Sequence, residues 1–274
     1  MNAQKDAYDL ARDEGLFGGA VSAQVHPIPQ QRIAAKLDDY MSRRDYAGVE
    51  RHLRYWLEEA RQGNDLRGQL MLYNELVGHY RKTGERDKAH ASADAALALL
   101  EQLDYTDSLS AGTTYVNIAT ACNAFGEDER ALELFERARA IYETSAAATP
   151  SLRGGLYNNM GLTLAALGRY DDAMALYALA MEQMGHAPNG ALEQAVTCLN
   201  MSNAVEARDG MEAGETRIFE LLDQAAALLD TPDIPRDGYY AYVCEKCAPT
   251  FEYYGYFLEA ARLNEEAERI YAGT

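Results

Sequence analysis

The spacing that most invites chemistry in this chain of 274 residues is Cys244-x-x-Cys247. A structural zinc would need a second pair of ligands, and the sequence supplies no other C-x-x-C and no H-x3–5-H. The five histidines, His26, His52, His79, His90 and His186, never pair at helical ligand spacing. No glycine-rich phosphate loop, nucleophile elbow or H-E-x-x-H is present. These residues therefore predict no catalytic group, no metal and no cofactor. A second set recurs with more order: Asn117, Asn159 and Asn200 lie 42 and 41 residues apart. A carboxamide offers a donor and an acceptor, so it can pair with the C=O and N–H of a peptide backbone.

What repeats around those asparagines must be what positions them. Tyr73-Asn74-Glu75-Leu76-Val77, Tyr115-Val116-Asn117-Ile118-Ala119 and Tyr157-Asn158-Asn159-Met160-Gly161 are spaced by 42. A fixed period of this size means stacked helix pairs. With the three tyrosines at repeat position 4, position 8 is Val77, Ala119 and Gly161, and the turn at position 15 is Gly84, Gly126 and Gly168. Position 20 is Ala89, Ala131 and Ala173, position 24 is Ala93, Phe135 and Tyr177, and position 27 is Ala96, Ala138 and Ala180. Small residues at 8, 20 and 27 let helices approach, and the larger ones fill the space between.

Weaker units flank these three. Cys198, Met201, Ser202 and Val205 open a fourth, whose second helix departs from the pattern with Gly214 and Ile218. Cys244, Cys247, Ala248 and Phe251 open a fifth, in which Pro249 is expected to kink the first helix. Leu37, Tyr40, Val49, Leu53 and Trp56 read as a half-matched opening unit. The cysteines fall on core positions, so space-filling thiols are the simplest account of Cys244-x-x-Cys247.

The pattern resembles the tetratricopeptide repeat, W-x2-L-G-x2-Y then A-x3-F, with a longer period similar to that of kinesin light chains and of the peptide-sensing repeat regulators of Gram-positive bacteria. The resemblance implies an all-α fold, a right-handed superhelical solenoid of antiparallel helix pairs with about six repeat units. Two segments are expected: an N-terminal extension over 1–29, with a helix from Asp6 to Phe17 and an extended linker at His26-Pro27-Ile28-Pro29, and a repeat domain over 30–274.

In such repeats the first helix of each pair lines a concave groove. Carried over, position 6 gives Asn117, Asn159 and Asn200 as candidate peptide-binding residues, and Asn74, Asn158 and Asn203 would enlarge the polar strip. At the far end Glu206, Tyr242, Glu245, Glu252 and Tyr253 place tyrosine beside carboxylate, a setting for Arg or Lys by ion pairing and cation–π contact. The bland readings stand beside these: asparagines can orient neighbouring helices, and tyrosines can shield the open end of a stack.

The net charge is −18, and residues 1–88 contribute none of it, holding 14 groups of each sign. A field of that sign disfavours nucleic acid and anionic membrane and suits a basic protein or peptide. No run of apolar residues is long enough to span a membrane, and the first residues lack a signal peptide's pattern, so the expected compartment is the cytoplasm. The functional expectation is a non-enzymatic adaptor that holds a peptide segment of a partner in its groove. The alternatives are a receptor for a small regulatory peptide and a structural protein that self-associates through its N-terminal segment or its tyrosine-rich end.

Overall fold

A computed structural model describes residues 25–273. The helix expected over Asp6–Phe17 lies outside the described residues. Among those described, twelve helices and no strand occur: α1 Gln30–Ser42, α2 Tyr46–Gln62, α3 Leu66–Thr83, α4 Arg86–Gln102, α5 Leu109–Ala124, α6 Asp128–Thr144, α7 Pro150–Ala166, α8 Tyr170–Gly185, α9 Gly190–Asp209, α10 Met211–Leu229, α11 Gly238–Tyr253 and α12 Phe257–Ala272. They form two compact units, one holding α1–α6 and the other α7–α12. Within each unit the helices pack as consecutive pairs, as the period requires.

The two helices of a pair start by different means. The first helices α3, α5, α7 and α11 are capped by side chains: Asp65 accepts from the Gly68 amide, Ser108 from Ala111, Thr149 from Leu152 and Asp237 from Tyr239 and Tyr240. The second helices α4, α6, α8 and α12 have no side-chain cap and follow a left-handed glycine, Gly84, Gly126, Gly168 or Gly255, at φ 75°, 75°, 74° and 85°. That backbone conformation is why position 15 is glycine in these four repeats.

Inside a pair, position 8 and position 24 vary in opposite directions. Val77 goes with Ala93, Ala119 with Phe135, and Gly161 with Tyr177, and all six are buried. A Cβ on Gly161 would sit 2.5 Å from the Tyr177 ring, so the tyrosine occupies the volume that the glycine leaves. The same exchange recurs at Gly112, where a Cβ would sit 2.5 Å from the Tyr142 ring. In the fourth pair a Cβ on Gly214 would meet Val205 at 2.9 Å, so this irregular glycine also marks a close approach.

Two local expectations are refined. The His26–Pro29 segment is anchored: His26 N–H donates to the Gly63 carbonyl at 2.9 Å, and Ile28, buried, donates its N–H to Asp65 Oδ2 at 2.9 Å. Asp65 therefore caps α3 with one oxygen and clasps the incoming chain with the other. Helix α11 runs through Pro249 without ending there.

Candidate functional site

The buried asparagines sit at position 5 of the first and third repeats. Asn74, on α3, is 3% exposed, and its Nδ2 donates to the Leu70 carbonyl and to Thr114 Oγ1 of α5, each at 3.0 Å. Its Oδ1 accepts from Asn117 Nδ2 at 3.2 Å. Asn158, on α7, is 5% exposed, and its Oδ1 accepts from Asn200 Nδ2 of α9 at 3.0 Å. Thr197 Oγ1 lies 3.1 Å from the same oxygen and 2.8 Å from the Glu193 carbonyl, and shares one proton between them.

Each unit thus contains the same lock: an asparagine on one first helix, joined to a threonine and an asparagine on the next. Asn74 and Asn158 are 84 residues apart, Thr114 and Thr197 83, and Asn117 and Asn200 83. The network repeats every two units of the sequence pattern. Val116 occupies position 5 in the second repeat and Leu199 in the fourth, and neither has an amide to offer.

This divides the asparagine candidates by role. Asn74 and Asn158 are buried in the stack with their amides engaged. Asn117 and Asn200 are half-buried and donate inward, and their Oδ1 atoms accept from no partner among the described residues. Asn159, also half-buried, has no side-chain partner among the described residues; only its backbone carbonyl is used, accepting from Thr163 Oγ1 at 3.1 Å.

The acidic candidates sit in a different setting. Glu206, half-buried, accepts from Tyr253 Oη at 2.9 Å on one oxygen and from Tyr254 Oη at 2.8 Å on the other. Asn203, exposed, presents its Oδ1 3.1 Å from the same Tyr254 hydroxyl. Burial first, and then the Glu206 carboxylate, push the Tyr254 phenol well above its ordinary range, and Glu206 alone is the main cause of the rise at exposed Tyr253. Tyr242 is half-buried and stacks on Tyr239 at 6.3 Å, Glu245 accepts from Tyr271 Oη at 3.2 Å, and Glu252 is exposed. A basic side chain arriving here meets a carboxylate already held by two phenols rather than a bare ion.

The remaining tyrosines of this end follow the same rule. Tyr240 Oη donates to Glu266 at 2.6 Å and Tyr256 Oη to Asp223 at 2.6 Å, while Tyr239 Oη donates to Glu193. Burial, and then Asp223, push the Tyr256 phenol up to about 12.

All four thiols are buried, and burial pushes Cys122, Cys198 and Cys244 up to about 11 and Cys247 to about 12. Such groups stay protonated at neutral pH and are poor nucleophiles. Two clusters of metal-ligand types escape sequence spacing, because their members come from different helices: His90, Cys122 and Glu127, and Glu50, His79 and Glu85. Their carboxylates are already matched by cations. Glu127 accepts from Arg86 Nε and His90 Nε2, each at 2.9 Å, and Glu50 from Lys88 at 3.1 Å and Tyr80 at 2.9 Å. Desolvation works against ionisation at both, yet these donors outweigh it and hold both carboxyls below their usual range.

With this geometry in view, comparison with known proteins gives a consistent class. Residues 68–144 match the tetratricopeptide repeat family. The fold is similar to that of BtubC (BKLC) from P. vanneervenii, with a TM-score of 0.60 and 20% identity over 75% of this chain and 83% of that one. It is also similar to the nearly identical TPR-like repeats of a putative kinesin light chain from Podosopora anserina, with a TM-score of 0.51 and 20% identity over 75% and 96% of the two chains. No curated protein matches the sequence. The helix-pair repeat fold expected from the 42-residue period is therefore the fold observed. No described helix is long and apolar enough to cross a membrane.

Proposed function

We propose that the chain is a non-enzymatic protein-interaction scaffold whose first helices hold peptide segments by their backbones. The observation that carries this reading is the orientation of Asn117 and Asn200. Each amide is tied inward by a buried asparagine, Asn74 or Asn158, leaving its carbonyl oxygen as a fixed acceptor. An acceptor that is already oriented loses little rotamer freedom when it captures a peptide N–H, which raises affinity. Asn159 offers a donor and an acceptor with no competing internal bond. In this reading Asn74 and Asn158 position the contacting amides.

Asn203, Glu206, Tyr242, Glu245, Glu252 and Tyr253 form the reading surface of the second unit, suited to a segment with Lys or Arg among its side chains. The charge of −18 favours the same basic partner, in the cytoplasm and away from nucleic acid and membrane. The small-peptide receptor is the same chemistry with a free peptide as occupant.

The test begins with a displayed peptide library selected against the full chain. The selected peptides are then measured against Asn117→Ala, Asn159→Ala and Asn200→Ala, singly and combined. The expected result is a loss of roughly tenfold or more in the triple variant with helicity unchanged. Full affinity in a folded triple variant would remove the asparagines from the site.

A further inference from the structure

The second helices of the pairs present a solvent face that the proposed function does not use, and in α12 that face is unlike the others. At its second residue, repeat position 18, α4, α6 and α8 carry Asp87, Glu129 and Asp171, all exposed. An acid in the first turn of a helix is favoured by the aligned backbone dipoles. Helix α12 carries Leu258 there, 90% exposed, next to Phe257, 66% exposed. Neither side chain complements the helix dipole as an acid would, and neither fills a core. Successive exposed residues along the same side are Ala261, Glu265 and Glu268, at helical spacings of three and four. From Phe257 to Glu268 this stripe is about 17 Å long, roughly three turns. Neither Glu265 nor Glu268 has an ion-pair partner among the described residues.

We propose that the outer face of α12 docks an amphipathic helix of a partner protein, with apolar side chains on Phe257, Leu258 and Ala261 and Lys or Arg on Glu265 and Glu268. The stripe has an apolar end and an acidic end, so it fixes the direction of the incoming helix as well as its composition. A second copy of this chain is the poorer occupant. A symmetric pairing of two such faces either brings like carboxylates together, when the helices are parallel, or sets Glu265 and Glu268 against Phe257 and Leu258, when they are antiparallel, and neither is complementary. The site is separate from the asparagine strip, which lies on first helices, and stands or falls independently of it.

The probe is a fluorescent Leu/Lys helical peptide with its leucines toward one end of the apolar side and its lysines toward the other, followed by anisotropy against the full chain. A peptide of the same composition in scrambled order is the control. Binding should be saturable, weaker by roughly tenfold in Leu258→Glu and in Phe257→Ser, and weaker in Glu265→Lys/Glu268→Lys. All four positions are exposed, so these variants keep their helicity. Asn117→Ala/Asn159→Ala/Asn200→Ala should bind the probe as the unaltered chain does. Equal binding of the ordered and scrambled peptides, or equal binding by Leu258→Glu, would overturn the proposal. So would a concentration-dependent dimer in sedimentation that Leu258→Glu dissolves, because the face would then belong to a second copy.

Discussion

The two units hold their asparagines in a similar way but their carboxylates with a different balance of cations and phenols. In the first unit the joints between repeats match carboxylates mainly with cations: Glu127 with Arg86, and Glu50 with Lys88 beside the Tyr80 hydroxyl. In the second unit phenols take a larger share: Glu206 is held by Tyr253 and Tyr254, Asp223 by Tyr256, and Glu266 by Tyr240 with Arg262 beside it, while Asp171 pairs with Arg208. An Arg cancels a charge, whereas a tyrosine satisfies a hydrogen bond and leaves the charge in place. That difference explains how the second unit can be cohesive and strongly acidic at once. It also separates two jobs usually given to one salt bridge, joining helices and setting the surface potential.

The largest test of this contrast is pH. The second unit holds Tyr240, Tyr254, Tyr256 and three cysteines, all with folded pKa values raised above their unfolded values, so each favours folding below its unfolded pKa. That stability is lost as pH rises through the window from about 9, where unfolded thiols begin to ionise, to beyond 12. The first unit has fewer such groups, and its lowered carboxyls Glu50 and Glu127 lose their contribution as pH falls below about 4.5. Trp56, the single tryptophan of the chain, lies in α2 and reports on the first unit alone. In an alkaline titration, ellipticity should fall before Trp56 fluorescence changes, and in acid the order should reverse. A single coincident transition in both directions would break the comparison.

Next come the locks, where the units should behave alike. Asn74→Ala and Asn158→Ala each empty a buried site and break its bonds to the half-buried Asn and the buried Thr of the next helix, so each should cost about 2 kcal/mol. The Trp56 transition in denaturant should move for Asn74→Ala and stay in place for Asn158→Ala if the units unfold independently.

The joints should then differ again. Glu127→Gln removes a charge from half-exposed Arg and His partners and should cost about 1 kcal/mol at low salt, less as salt screens the pair. Glu206→Gln keeps a carbonyl acceptor for one phenol and should cost roughly 0.5 kcal/mol with no salt dependence. A last contrast is between two buried tyrosines. Tyr142 Oη is 3.1 Å from Thr113 Oγ1, whereas the Tyr177 hydroxyl is buried with no partner among the described residues. Tyr142→Phe should cost about 1 kcal/mol, and Tyr177→Phe should be neutral or slightly stabilising, both by thermal melting.

Much of the fold was legible because it depends on local rules that repeat. A left-handed turn favours glycine, so Gly84, Gly126 and Gly168 mark the hairpins of the three regular repeats. The role of Asn74 and Asn158 was harder to see, because a buried amide and a groove-lining amide look alike in one helix. Their signal was present in the threonines 40 and 39 residues further on, Thr114 and Thr197, but only a two-repeat period exposes it. The phenol–carboxylate joints were not legible as pairs. Tyr239 and Glu193, or Tyr254 and Glu206, are 46 and 48 residues apart and meet only because successive helix pairs stack. Asp65 as the clasp for Ile28 was hidden for the same reason.

The alternating lock also limits how such a chain can change its length. Excising the third repeat alone would join the second directly to the fourth and set Thr197 and Asn200 against Val116, stranding polar groups in an apolar joint. Excising the second and third together would set them against Asn74, which already makes those bonds to Thr114 and Asn117. Loss of two repeats, a step of 83 residues, leaves one complete amide lock, and a step of one repeat does not. The smallest block that keeps the amide pairing is therefore a pair of repeats, even though the smallest period of the sequence is half that size.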